Sequence, residues 1–459
     1  MPDPSRLLIS GGSVFDGVSD VVRRADVLIE GDRIAAVGPQ IEATAERFDA
    51  GGLWITPGLI DMHVHLWNLG MEVLPALVGC GVTTVRDLGT AWSMGTLGVG
   101  GDARTVRRIQ ADIEAGKVVG PTVVYSGPML HQMQPQMQGS PAMRAAIERA
   151  SGDAGSKPLE SVAEAREVVG RLIDEDGAGS IKIYESVEEP IAAAILEAAA
   201  GRAPVTGHLG LTSSKFAMER GIGGVEHLHQ SLIRDIAPQG QRIDPRDWLG
   251  VPGYTLTVLR AWAAVDPDGA EVESWLQTLL DTGAFVDPTI TINAARPGAD
   301  DARRALFPTA FAAASTMEAP GPDPLAGASR NEFESARANQ RAITRMIIEA
   351  GGPVLVGTDL LPGALPGWGY HAEMLALERR GMRPTDVLRA GTSLAASYLW
   401  REDLGRVEVG ARADLALFAR DPTETVSNVE SIRQVVKGGV LHESARLLAL
   451  SGGGAGSGC

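Results

Sequence analysis

The chain has 459 residues, 44% of them hydrophobic, and carries 57 acidic against 41 basic side chains, for a formal net charge of -16. That length and composition suit one large globular domain with a smaller companion, and the acidity argues against a nucleic-acid or anionic-membrane partner because no basic patch survives the balance. Only Cys80 and Cys459 occur, so a disulfide framework and a cysteine-based zinc site are excluded, and any metal must be held by His and carboxylates.

The start, Met1-Pro2-Asp3-Pro4, lacks the basic and apolar regions of a leader, and no later apolar run reaches the roughly eighteen residues needed to span a bilayer. A soluble cytoplasmic protein acting on a small-molecule substrate is expected, with homo-oligomerisation left open. Residues 6–56 alternate short apolar runs with Gly and Asp breaks, and read as a small β unit. From about residue 59, short apolar strands alternate with Ala/Glu/Arg-rich helical stretches, the signature of a parallel sheet with crossover helices. Strands are predicted near 59–65, 82–87, 121–126, 180–184, 204–208, 224–227, 284–291 and 354–358, which suggests a (β/α)8 TIM barrel. A doubly wound open sheet is the alternative, but no Gly-rich dinucleotide loop supports it. After the last barrel helices a second β-like stretch runs from Gly405 to Val440, and the two chain ends are expected to pair into one composite β-sandwich. The predicted division is 1–56 and 405–446 for the sandwich, 57–404 for the barrel, and 447–459 for a flexible Gly/Ser-rich tail. Pro- and Gly-rich segments at 127–141, 237–253 and 295–328 are too long for simple connections and are candidate active-site loops.

In barrel enzymes the chemistry sits at the C-terminal ends of the strands. Six ionisable residues fall there: His63 and His65 ending the first strand, Lys182 in the fourth, His208 and His227 ending the fifth and sixth, and Asp359 just after the eighth. His63 and His65 are two apart on one strand, so the strand period of two points both imidazoles into the same space. A single His in a core is ordinarily a hydrogen-bonded core residue; two on one face after the Pro57-Gly58 turn signal read as metal ligands. Lys182, one of only five lysines against 36 arginines, stands between Ile181 and Ile183, whose side chains face the helices, so Lys182 and Tyr184 face inward. An unpaired buried ammonium costs several kcal/mol. Reaction with carbon dioxide would turn the amine into an anionic carbamate able to bridge two cations. His208 and His227 can complete a second metal, with His229 as a rival ligand on the same face. Asp359 taken alone also fits a helix N-cap. His131, in the loop after the third strand, is a candidate substrate contact, whereas His371 reads as structural and His442 has no assigned role.

The runs Ile55 to His65, Gly81 to Gly89, Ile181 to Tyr184, Gly207-His208, Val225 to Leu228 and Gly357-Thr358-Asp359 resemble the amidohydrolase superfamily, as do Ala390 to Ala396 and Ala413 to Ala416. Within it the chain is similar to the imidazolonepropionase-like and dipeptidase-like branch. The resemblance implies a metal-dependent hydrolase with a distorted (β/α)8 barrel and a composite sandwich. Lys182 favours the two-metal form of the site, in which its carbamate and a hydroxide bridge one ion held by His63, His65 and Asp359 and another held by His208 and His227. Zinc is the favoured metal. The expected reaction is cleavage of an amide-like C–N bond by attack of that hydroxide, with Asp359 moving the proton and Tyr184 and His131 as oxyanion donors. Dipeptides or N-acyl amino acids are the favoured substrates; carbamates, ureas and lactones share the same electrophilic carbonyl. The alternatives are a mononuclear deaminase acting on a ring amidine and a metal-free binding scaffold. The Met- and Gln-rich loop after the third strand departs from the family's pattern.

Overall fold

In the computed structural model the described residues are 6–66, 73–89, 103–132, 158–239, 254–293, 327–359 and 365–451. Apolar alternation at the N-terminus folds as the period of two dictates: Leu7 and Ile9 pack on one face of a strand and Leu8 on the other. The strands there are β1 (Arg6–Phe15), β2 (Val22–Glu30), β3 (Arg33–Gly38), β4 (Glu46–Asp49) and β5 (Trp54–Pro57). The central strands follow as β6 (Leu59–Val64), β7 (Val82–Asp87), β8 (Thr122–Tyr125), β9 (Ile181–Ile183), β10 (Val205–Gly207), β11 (Gly224–Glu226) and β12 (Phe285–Asp287). Near the other end lie β13 (Leu415–Phe418), β14 (Ile432–Lys437) and β15 (Val440–Glu443).

The two chain ends meet in one eight-stranded sheet of order β15-β14-β13-β5-β1-β2-β3, with β4 beside β1. Its junction is antiparallel pairing of β13 with β5, Leu415 opposite Pro57 and Phe418 opposite Trp54. Lys437 ties this sheet to the central strands, since its ammonium bonds both Asp414 and Thr122 of β8.

The central strands are all parallel, in the groups β6-β7-β8 and β12-β11-β10-β9. Between β8 and β9, Leu130 N donates to Lys182 O and Tyr184 N to Leu130 O. Between β12 and β6 runs the segment 354–359, expected to hold the eighth strand. Only Val354 forms a ladder bridge there, to Val286, but Leu355 N donates to Val286 O, Met62 N to Val356 O and Asp359 N to His63 O. The architecture is TIM-barrel-like α/β. Helices such as Arg330–Glu349, opened by a Ser329/Glu332 capping box, pack outside, and Ile181, Ile183 and Val225 face them in the main core.

Several strands are a residue shorter at one or both ends than predicted, and two boundaries differ by more. The predicted strand at 284–291 ends at Asp287, because Pro288 has no N–H to donate and Thr289 takes a left-handed φ of 41° before a 3-10 turn, Ile290–Asn293. The predicted flexible tail from 447 onward is helical as far as Ser451, in Ser444–Ser451, because Leu447 buries itself against Val78 and Val435. Residues 452–459, with Cys459, lie outside the described residues, as do most of the three candidate loops at 127–141, 237–253 and 295–328. No helix among the described residues is long and apolar enough to cross a membrane.

Candidate metal centre

Parallel strands all present their C-terminal ends on one side, and there the expected residues converge. Asp359 Oδ1 stands 3.0 Å from His65 Nε2 and 3.3 Å from His63 Nε2, and its Oδ2 is 3.6 Å from His227 Nε2. The His227 ring centroid is 4.7 Å from those of both His63 and His208. His229 reaches the edge of the group, 5.6 Å from His227. Tyr184 packs edge-on against His208 at 5.1 Å and is half-buried. His131 is buried beside β9, its Nδ1 3.3 Å from Met129 O; burial pulls it down to about 3, so the ring is neutral at physiological pH. His371 donates from Nε2 to Cys80 O, and His442 lies in β15.

Each ligand candidate is aimed by what holds its far side. His65 Nδ1 donates to Gly89 O at 2.7 Å and its Nε2 points at Asp359; burial lowers this ring, but the Asp359 carboxylate outweighs it and holds His65 above its ordinary value. His63 Nδ1 lies 2.7 Å from Glu226 Oε2, and Thr289 Oγ1 lies 2.9 Å from His227 Nδ1. Of the five described non-glycine residues with positive φ, three are His227, Thr289 and Asp359. Backbone strain of roughly 1–3 kcal/mol each is thus concentrated where the side chains must be re-aimed at a strand end. Gly357 shows how little room remains: a Cβ there would meet Asp287 Oδ2 at 2.0 Å and His63 Cβ at 2.8 Å.

Electrostatics sets the donor states. Burial and the nearby Lys182 charge pull His63 down to about 4 and His208 well below the usual histidine range. Burial and the adjacent His208 do the same to His227, so these rings are neutral. Burial raises the Asp359 carboxyl, but His63 and His65 outweigh it and hold it below its ordinary value. Burial brings Lys182 down to about 8, against the opposing pull of Glu226. His63 Nε2, His208 Nε2 and Lys182 Nζ are buried without a hydrogen-bond partner. The bare Nε2 atoms of His63 and His208, an ionised carboxylate and an unpartnered amine in one cluster are a donor set that fits divalent metal and a carbamate.

Residues that the sequence reading did not single out surround this set. Glu226, fully buried, takes hydrogen bonds from Arg86 Nη2 at 2.6 Å and from Thr206 Oγ1. Asp287 lies 3.5 Å from His63 Nδ1, and burial beside Glu226 pushes its carboxyl well up. His63, Glu226 and Asp287 could formally group around a cation. The Arg86 guanidinium already neutralises Glu226, and burial beside Glu226 disfavours charge on Asp287, so the group reads as support for His63. The signal available in sequence was parity: Arg86 and Glu226 are charged residues inside apolar strands.

A sequence model of the amidohydrolase family matches residues 54–441. The chain belongs to the amidohydrolase family. Its resemblance to a D-aminoacylase of Alcaligenes xylosoxydans xylosoxydans is 44% identity over 85 residues, 18% of this chain and 18% of that protein. The chain thus spans less than a fifth of the length of the curated relatives it matches first, at 16% and 18%. The fold is similar to that of a bottromycin amidohydrolase, with TM-score 0.68 at 21% identity over 98% of this chain and 91% of that one. It is also similar to a Xaa-Pro dipeptidase solved with methionine in its active site, with TM-score 0.66 at 20% identity over 96% and 100% of the two chains.

Proposed function

We propose that this amidohydrolase is a binuclear metal-dependent hydrolase of amide-like C–N bonds, with dipeptides or N-acyl amino acids as its substrates. The observation that carries the reading is the unpartnered, buried Lys182 amine within a cluster of bare imidazole nitrogens around Asp359. His63, His65 and Asp359 would hold one ion and His208 and His227 the other, with Lys182 bridging as a carbamate. Two divalent ions, zinc for choice, would supply Lewis acidity there and lower the pKa of water toward neutral pH. Asp359, ionised and facing both halves of the cluster, takes up the proton released on attack and passes it to the leaving nitrogen. Tyr184, beside His208, would donate to the developing oxyanion, and His131 would do so only as the tautomer with its proton on Nε2. The preference for an acylated or peptide-linked amino acid draws on the resemblance to the D-aminoacylase. The reading includes a closed (β/α)8 barrel at 57–404 beside a sandwich built from 1–56 and 405–446.

Metal analysis followed by a library of amides, carbamates and esters tests it. About two zinc ions per chain, amide turnover and its loss to a chelator are expected. Full turnover by metal-free protein would sink the mechanism, and ammonia release from a ring amidine with one ion bound would establish the deaminase instead.

A further inference from the structure

The histidines of the cluster are supported unequally. His65 rests on a neutral carbonyl, Gly89 O, and His227 on a neutral hydroxyl, Thr289 Oγ1. Neither His208 nor His227 has a carboxylate within hydrogen-bond distance of Nδ1 among the described residues. His63 alone rests on a carboxylate, Glu226 Oε2 at 2.7 Å. That carboxylate is itself fixed: Arg86 Nη2 and Thr206 Oγ1 both bond Oε1, leaving Oε2 to the imidazole. Arg86 Nε also donates to Met62 O at 2.6 Å, so one guanidinium holds both the partner of His63 and the backbone next to it. The ring closes Met62, His63, Glu226 and Arg86 across β6, β11 and β7, and Thr206 joins it from β10.

We propose that Glu226, locked by Arg86 and Thr206, is a positioning residue that fixes His63 with Nδ1 protonated and Nε2 bare, making the His63/His65/Asp359 half the tighter of two zinc sites. An ionised carboxylate can only accept, so the proton between it and His63 belongs to Nδ1, and Nε2 keeps its lone pair for metal. A carboxylate behind an imidazole also raises its basicity as a ligand, and loss of such a partner typically weakens metal binding 10–100-fold. A carbonyl or hydroxyl gives orientation with less charge transfer. The inference rests on the two-metal reading.

The test uses the full chain, stripped of metal and titrated with zinc in bicarbonate against a chromogenic chelator. Glu226→Gln alone would strand a buried guanidinium, so the first variant is Arg86→Met/Glu226→Gln, which removes both charges together. Its first zinc should bind on the order of 10–100-fold more weakly, with the second unchanged. Thr206→Val, a smaller change that keeps the ion pair, should weaken the first zinc about 3-fold or more in the same sense. Thr289→Val should weaken the second zinc instead. In zinc-free protein labelled with ¹⁵N-histidine, wild-type His63 should show a single Nδ1-protonated tautomer, and the double variant a mixture. Such a crossed pattern does not arise from general loss of stability. A first-zinc affinity in folded Thr206→Val and in any folded double variant that matches wild type, or a single His63 tautomer without Glu226, overturns the positioning role alone. Fewer than two zinc ions on the wild-type chain overturns the two-metal reading and the asymmetry with it.

Discussion

Asp359 Oδ1 lies 3.0 Å from His65 Nε2 while Asp359 Oδ2 lies 3.6 Å from His227 Nε2, so one carboxylate faces both halves of the cluster. It reaches that position through a left-handed φ of 47° and a backbone bond from its N–H to His63 O. Asparagine at 359 keeps the shape and one oxygen donor but cannot take up a proton near neutral pH. Asp359→Asn should therefore lower kcat on the best amide substrate by on the order of 10²-fold or more. Steady-state kinetics with zinc content measured in parallel checks this, and near-normal kcat in a zinc-loaded variant would show that the proton travels by another group.

Lys182 makes the carbamate testable through pH. Only the neutral amine reacts with carbon dioxide, and burial brings this amine down to about 8 from the ordinary lysine value of 10.5. A lowered base is neutral above its shifted value, so carbamylation of the metal-free chain is favoured above pH 8. Below pH 8 the neutral fraction should fall about tenfold per pH unit. Zinc uptake, followed from pH 6 to 9 with the dissolved carbon dioxide held constant, should slow in that proportion below pH 8. A rate independent of pH would separate metal loading from the state of Lys182.

Much of this centre was legible because strand parity is a strong constraint. His63, His65 and Lys182 could be assigned inward from a period of two, and His208, His227 and Asp359 from their places at the ends of apolar runs. The Arg86–Glu226 pair was not legible as a pair, since its members are 140 residues apart and meet only when β7 and β11 turn their inner faces to one space. Asp287 looked like the middle of a longer strand, and the left-handed turn at Thr289 that ends it needs no glycine and so leaves no local mark. The segment Val354-Leu355-Val356-Gly357-Thr358, expected as an eighth strand, forms only one bridge, to β12, and otherwise pairs through single hydrogen bonds to β12 and β6. Pairing at the chain ends was foreseen from similar texture, while the helix that closes the C-terminus was obscured by the Gly/Ser composition just beyond it.

Gly357 is required by close approach. Alanine would place its Cβ 2.0 Å from Asp287 Oδ2 and 2.8 Å from His63 Cβ, and neither neighbour can retreat easily, because both are buried and His63 is tied to Glu226. Gly357→Ala should destabilise the chain by about 1–3 kcal/mol through overpacking, read as a lower Tm of the metal-free protein. Zinc affinity should fall with it, as His63 is displaced. An unchanged Tm and zinc affinity would mean that the packing between β12 and β6 is looser than these distances imply.

The sharpest test of the bridge is chemical replacement. Lys182→Ala removes the group that would carry the carboxylate and leaves a cavity among His63, His208 and Asp359, so zinc content and activity should both be lost. Formate or acetate is small enough to enter that cavity and offers the two oxygens that a carbamate would present, so millimolar amounts should partly restore both properties. Lys182→Glu brings a carboxylate on a shorter stem and should retain some zinc with little turnover. Rescue by carboxylates but not by amines such as methylamine separates a bridging anion from a need for the ammonium itself. In the wild-type protein, mass spectrometry that preserves carbamates should show Lys182 heavier by the mass of one carbon dioxide. An unmodified amine in fully active, zinc-loaded enzyme would remove the bridge and favour a one-metal site at His63, His65 and Asp359.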